Sequence, residues 1–292
     1  MIFREGFACA GPWLIEQVHE IEQFPREGGH ATVNHEAKAI GGVFGVIAAL
    51  RRLQAELPLY ALGLLGEDDN GHVILDACHE LDVDTFQLLV DEQARTASAT
   101  VMQSLRSGRR TSFHSAGAND LLDLAHFDFR HCLASWFHLH DLAQLAILGD
   151  LDRAGMPARA LFQSAQGAGM TTSLFCGELH APGQAMGMLA MLDNVDYLLL
   201  TAKALAQCTG LPAERAVSWP RAELNAAAEE LVATGGLRSL AVAGEAGICI
   251  VHRAGHCEWQ EGRPAGGEGR AAVWCAAFIY DCYCRERQAV TE

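Results

Sequence analysis

The sequence predicts an α/β fold, a mostly parallel sheet covered by helices with a small added β-sheet. Two observations carry that prediction. Strand-like apolar runs alternate with helix-like runs along most of the chain, the pattern that helical crossovers between parallel strands leave in sequence. The alternation breaks at residues 95–115, where two β-rich runs flank a Ser-Gly turn and read as an antiparallel pair. With 292 residues, half of them apolar, the chain can bury a large core. Neither a linker nor an internal repeat divides it, so residues 1–292 are expected to form one domain, with the added β-sheet drawn from about 14–38 and 94–115.

"FACAGPW" (Phe7–Trp13) reads as a short buried strand ending at Gly11, followed by an irregular stretch containing the turn-rich "FPREGG". "GGVFGVIAALRRLQ" (Gly41–Gln54) reads as a helix entered through its glycines, with Ala48, Ala49, Leu50 and Leu53 on the apolar face and Arg51 and Arg52 in water. "LPLYALGLLG" is a strand; "GEDDNG" is a capped turn, its spacing wrong for a calcium loop; and "HVILDACHELD" is a helix. Beyond the hairpin come a strand at "ASWFHLHDL", a helix from about Ala143, a strand at "ARALFQSA" (158–165) and a helix at "MGMLAMLDNV". "VDYLLLT" is a strand, and "AKALAQCTG" a helix closed by Gly210. The alanine-rich "WPRAELNAAAEELVATGG" is the best helix former in the chain. "LRSLAVAG" and "ICIVHRAG" pair across a tight "EAG" turn, and "RPAGGEGRAAVWCAAFIY" runs from a glycine-rich turn into a last helix.

A net charge of −15 argues against a nucleic-acid groove or an anionic membrane surface as partner. No run of 18 apolar residues occurs, and the first residues lack the basic-then-apolar order of a signal peptide, so a cytoplasmic location is expected. None of the ten cysteines forms Cys-x-x-Cys; they read as reduced core thiols, and no metal site is expected. His138 and His140 share one face of a strand with Asp141 just beyond, either as core imidazoles with local partners or as ligand contacts at a strand end. Arg106, Arg109 and Arg110 cluster on the hairpin, where a solvated turn competes with an anion contact or a dimer-edge salt bridge.

The order of these pieces resembles the PfkB family of carbohydrate kinases, also called ribokinase-like. The likeness runs through Gly41 and Gly42, "GLLGEDDNG" (Gly63–Gly71) with Asp68, "LDVDT" (Leu81–Thr85), "ARTASATVMQSLRSGRRT" (Ala94–Thr111), "GAN" (Gly117–Asn119), "GEAG" (Gly244–Gly247) and "GGEGRAAVWCAAFIY". The resemblance implies a three-layer α/β/α fold with a small β-sheet lid over the sugar, and a homodimer formed through that lid. It also implies ATP and Mg²⁺ as cofactors if the protein is active. Such enzymes need a base on the accepting hydroxyl and N–H groups or cations around the transferring phosphoryl.

In the family the base is the aspartate of a G-A-G-D turn, and the residues that match it are Gly267, Glu268, Gly269 and Arg270. A guanidinium stays protonated at physiological pH, so Arg270 cannot accept a proton. The turn Gly267–Gly269 keeps the outline of an anion hole, with the Glu268 carboxylate as an unusual neighbour. By the same resemblance, Glu16 stands at the sugar-binding aspartate and Val46 at the asparagine that follows Gly41–Gly42. Thr201 and Ala204 stand at the N-x-x-E element that organises magnesium, and Gly244 and Gly247 at the nucleotide side. His140 is a further candidate ligand contact. The resulting expectation is a kinase homologue that binds a small sugar, nucleoside or phosphorylated ligand with ordinary phosphotransfer lost or impaired. The alternative is an active kinase using another carboxylate, such as Glu268, as base.

Overall fold

The computed structural model describes residues 4–150, 156–180, 183–216, 218–261 and 268–291. Two sheets are present. The larger is built from β1 (Phe7–Ala10), β4 (Leu59–Gly66), β5 (Asp84–Asp91), β8 (Trp136–His140), β9 (Thr171–Cys176), β10 (Tyr197–Thr201), β11 (Ser239–Gly244), β12 (Gly247–His252) and β13 (Cys257–Gln260). Its strand order is β13-β12-β11-β10-β9-β8-β1-β4-β5, parallel from β5 to β11 and antiparallel through β12 and β13. The smaller sheet runs β3-β2-β6-β7, from β2 (Trp13–Ile21), β3 (Val33–Gly42), β6 (Ala97–Ser104) and β7 (Arg110–Ser115).

Alternate residues of the large sheet face two separate cores, as the period of two requires. Ala8, Ala10, Leu198 and Leu200 pack beneath α3 (Met156–Gly167), α4 (Gln184–Met191), α5 (Ala202–Thr209) and α7 (Arg221–Thr234). Phe7, Cys9, Tyr197 and Leu199 pack beneath α1 (Phe44–Leu53), α2 (Asp69–Glu80) and α8 (Glu268–Thr291). A short α6 (Ala213–Ala216) completes the set. All ten cysteines are free, most of them buried, and burial pushes the thiols of Cys78, Cys208 and Cys282 up to about 12.

The structure corrects several expectations. Residues 158–165 are helical, not extended: Ala158, Leu161, Phe162 and Ala165 are buried at the i, i+3, i+4, i+7 spacing of one helix face. The strand is the next segment, Thr171–Cys176. No α-helix starts at Ala143; only a 3₁₀ turn, Leu142–Gln144, follows β8. In α1 the buried face is Val46, Ile47, Ala49 and Leu50, whereas Leu53 is exposed. Arg51 is not simply solvated, because its guanidinium donates to the carbonyls of Leu57, Leu81 and Asp82 and ties α1 to the end of α2. Gly41 and Gly42 end β3 instead of opening the helix. Gly42 has φ +67, and a Cβ there would lie 1.9 Å from the Pro12 carbonyl oxygen, so the strand-to-helix corner requires glycine.

Candidate active site

Four parallel strands, β8 to β11, end at one rim of the large sheet, and the small sheet stands opposite them. Open α/β sheets bind ligands at such carboxyl ends. Between the two lies a cleft of about 1060 Å³. The strand ends contribute His140 and Asp141, Phe175 and Gly177, Thr201, and Ala243 and Gly244; the small sheet contributes Leu14, Arg110, Ser112 and His114. Arg110, Ser112 and His114 alternate along β7 and so share one face. Ala271 and Trp274 close the cleft from α8, which places the first turn of that helix at its edge.

His140 is buried and its ring stacks on Phe175 with centroids 4.6 Å apart. Burial lowers its pKa to about 3, so it is neutral at physiological pH. Asp141 holds a left-handed conformation (φ 48°, ψ 55°), which turns the chain away from β8. Its carboxylate accepts hydrogen bonds from the Gly177 amide at 3.2 Å and from the Gln144 side chain. Burial raises the Asp141 pKa, opposed by those bonds and by the nearby His180 and His114. The Lys203 ammonium pairs with Glu178 within the cleft lining.

The structure distributes the sequence candidates over several places. Glu16 is buried on β2, and its Oε2 is paired with Arg110 Nη2 at 3.1 Å across the small sheet. Thr201, Gly244, Gly42 and His140 line the cleft. Gly41 adjoins Glu16, whose Oε1 would lie 3.2 Å from a Cβ at that position. Val46 and Ala204 lie in the two cores, fully buried and away from the cleft lining. Thr201 caps α5, its hydroxyl accepting from the Ala204 amide at 3.1 Å and donating to the Gly177 carbonyl. Gly247 opens β12 with φ +120, and a Cβ there would meet the Gln260 carbonyl oxygen of the neighbouring β13 at 2.6 Å. Its retention therefore has a structural cause. Gly267 lies outside the described residues; Glu268, Gly269 and Arg270 begin α8, and their side chains lie outside them too.

The two residues that the resemblance matches to the magnesium element do not fit that ion. Mg²⁺ takes oxygen ligands and waters, whereas Ala204 is buried and apolar and the Thr201 hydroxyl is bonded to the backbone. Among the described residues, no group of three His, Cys, Asp or Glu side chains could hold a metal. Sequence reasoning missed Glu178, His180, Lys203 and Trp274 as cleft residues. For Glu178 and His180 the signal was position just beyond a strand end, and reading 158–165 as the strand hid the end of β9.

The pfkB family carbohydrate kinase model matches residues 7–264, so the chain belongs to that family. Solved structures agree on the fold. A ribokinase from Giardia lamblia superposes with TM-score 0.75 at 15% identity, covering 94% of this chain and 82% of the other. A ribokinase from Arabidopsis thaliana complexed with ribose and ATP gives 0.70 at 19%, covering 95% and 87%. A fructokinase from Xylella fastidiosa with bound ATP gives 0.66 at 21%, covering 89% and 78%.

Proposed function

We propose that this chain holds a small sugar or nucleoside-like ligand in the cleft and that ordinary ATP-dependent phosphotransfer is lost or severely impaired. What supports this reading is the residue that the resemblance matches to the family's base. Arg270 stands in the first turn of the helix whose Ala271 and Trp274 close the cleft. A permanent cation there supplies no base, and Ala204 withdraws the carboxylate expected to organise magnesium. Polar groups for a hydroxylated ligand remain in Asp141, His140, His114, Ser112 and the Arg110–Glu16 pair. A phosphorylated ligand would be drawn to Arg110 and Lys203.

Calorimetry with a panel of sugars, nucleosides, ATP and ADP tests the binding half; no heat from any of them contradicts it. One observation favours a second reading, an active sugar kinase with a non-standard base. Asp141 is a cleft carboxylate whose pKa burial raises, the tuning a general base needs. Turnover that survives in the wild type and disappears in Asp141→Asn supports that reading instead. We further propose a cytoplasmic homodimer formed through the small sheet, whose outer strand β7 exposes Phe113 (63% accessible). Light scattering of the wild type against Phe113→Lys tests it, with a monomeric wild type as the contrary result.

A further inference from the structure

The interior of the large sheet carries a chain of polar side chains that ends in the cleft. Trp136, His138 and His140 alternate along β8 and share one face, and Ser173 of β9 lies in register with His138. The Trp136 indole Nε1–H donates to Ser173 Oγ at 2.7 Å. Ser173 Oγ lies 2.9 Å from His138 Nδ1, and His138 Nε2 lies 3.4 Å from His140 Nδ1. All three residues beyond Trp136 are buried, as is Trp136 itself.

Donor and acceptor logic gives this chain a direction. An indole N–H can only donate, so Ser173 Oγ accepts at that end. The serine hydroxyl has one proton and two candidate acceptors, His138 Nδ1 at 2.9 Å and the Phe137 carbonyl at 3.5 Å. The shorter contact is an ordinary hydrogen bond and the longer one is marginal. The serine proton therefore goes to His138 Nδ1, which leaves the proton of a neutral His138 on Nε2. That N–H faces His140 Nδ1 at 3.4 Å, a long contact, and His140 Nδ1 is the acceptor within its reach. The proton of a neutral His140 must then sit on its own Nε2, the ring nitrogen left over for the cleft that His140 lines. Burial holds both rings neutral, so neither escapes the constraint by taking a second proton. Phe175 clamps the His140 ring face, and Gly11 leaves room for it, since a Cβ there would stand 2.9 Å from His140 Cβ.

We infer that His140 is held as the Nε2–H tautomer by the Trp136–Ser173–His138 relay and is presented to the cleft as a fixed, uncharged hydrogen-bond donor. Ser173 and His138 are positioning residues in this arrangement. Resting on the ligand-binding reading above, the relay makes His140 select an acceptor oxygen of a hydroxylated ligand, beside the acceptor carboxylate of Asp141. A hydroxyl group, which both donates and accepts, suits that pair.

Histidine tautomers are read directly by long-range ¹H–¹⁵N correlation on ¹⁵N-histidine-labelled protein. The wild type is expected to show the Nε2–H pattern at His138 and His140 near neutral pH. An Nδ1–H or mixed pattern at His140 overturns the inference with no variant needed. Ser173→Ala removes the first link, so the His140 signal is expected to move toward a tautomer mixture. An unchanged pure tautomer in that variant overturns the relay as its cause. Titration with D-ribose and D-fructose is expected to shift the His140 Nε2–H signal. The expected tautomer with no response to either sugar counts against the sugar-binding reading and leaves the relay standing.

Discussion

Arg110 of β7 and Glu16 of β2 form an ion pair across the small sheet. Glu16 is nearly buried while Arg110 keeps partial access to water, so the pair sits between the surface and interior regimes. Arg110→Ala would leave the Glu16 carboxylate without its partner and is expected to cost about 1–3 kcal/mol of stability, measured by urea unfolding. Glu16→Gln with Arg110 intact should cost less, because an amide oxygen still accepts from the guanidinium. His140 gives a prediction in pH. Its folded pKa of about 3 lies below the unfolded value of about 6.5. The unfolded chain therefore binds the extra proton first as pH falls, and the stability present above pH 6.5 declines toward pH 3. For this ring the loss between pH 7 and pH 5 is about 2 kcal/mol. Asp141, with its pKa raised by burial, contributes with the opposite sign. The comparison that isolates the imidazole is therefore the pH dependence of the wild type minus that of His140→Phe.

At the scale of elements, α1 and α5 bury Val46 and Ala204, two positions that the resemblance matches to site residues. Val46 faces the interior of α1 beside Ile47 and Leu50. Val46→Asn, which introduces the asparagine that the resemblance matches to this position, buries an amide among apolar neighbours and is expected to destabilise the protein by about 2–4 kcal/mol without improving sugar binding. Calorimetric ligand titration and urea midpoints measure both halves. Thr201→Ala removes the cap of α5 and should cost about 1 kcal/mol by the same unfolding measurement. Most elements were legible in the sequence because period and turn chemistry agreed, as in Asp68, whose side chain caps α2 by accepting from the Gly71 amide at 2.9 Å. The segment at 158–165 was not, because a short apolar run flanked by small residues fits either a strand or a buried helix until its neighbours are known. Among site residues, His140, Thr201 and Gly244 could be found from the chain. Lys203 and Trp274 could not, since they join the cleft only when separate strand and helix ends meet.

Considered whole, the molecule has the fold of its family, and the proposed reading is that the groups that would run the reaction are changed. The sheet ends, the opposed small sheet and the start of α8 are assembled around one space. That assembly depends on backbone geometry and packing, both of which would tolerate the loss of a base. Phosphoryl transfer depends on a carboxylate and a metal at fixed points, and in the proposed reading these are what Arg270 and Ala204 replace. Fold and chemistry are separable here because they rest on different residues. The most direct measurement is a single-turnover assay with γ-labelled ATP, Mg²⁺, protein in excess and a panel of sugars and nucleosides, run on the wild type and on Arg270→Asp. The account predicts no labelled sugar or nucleoside phosphate from the wild type and at most slow transfer from Arg270→Asp, which regains a carboxylate but not the magnesium position. Rapid, stoichiometric transfer by the wild type would contradict it.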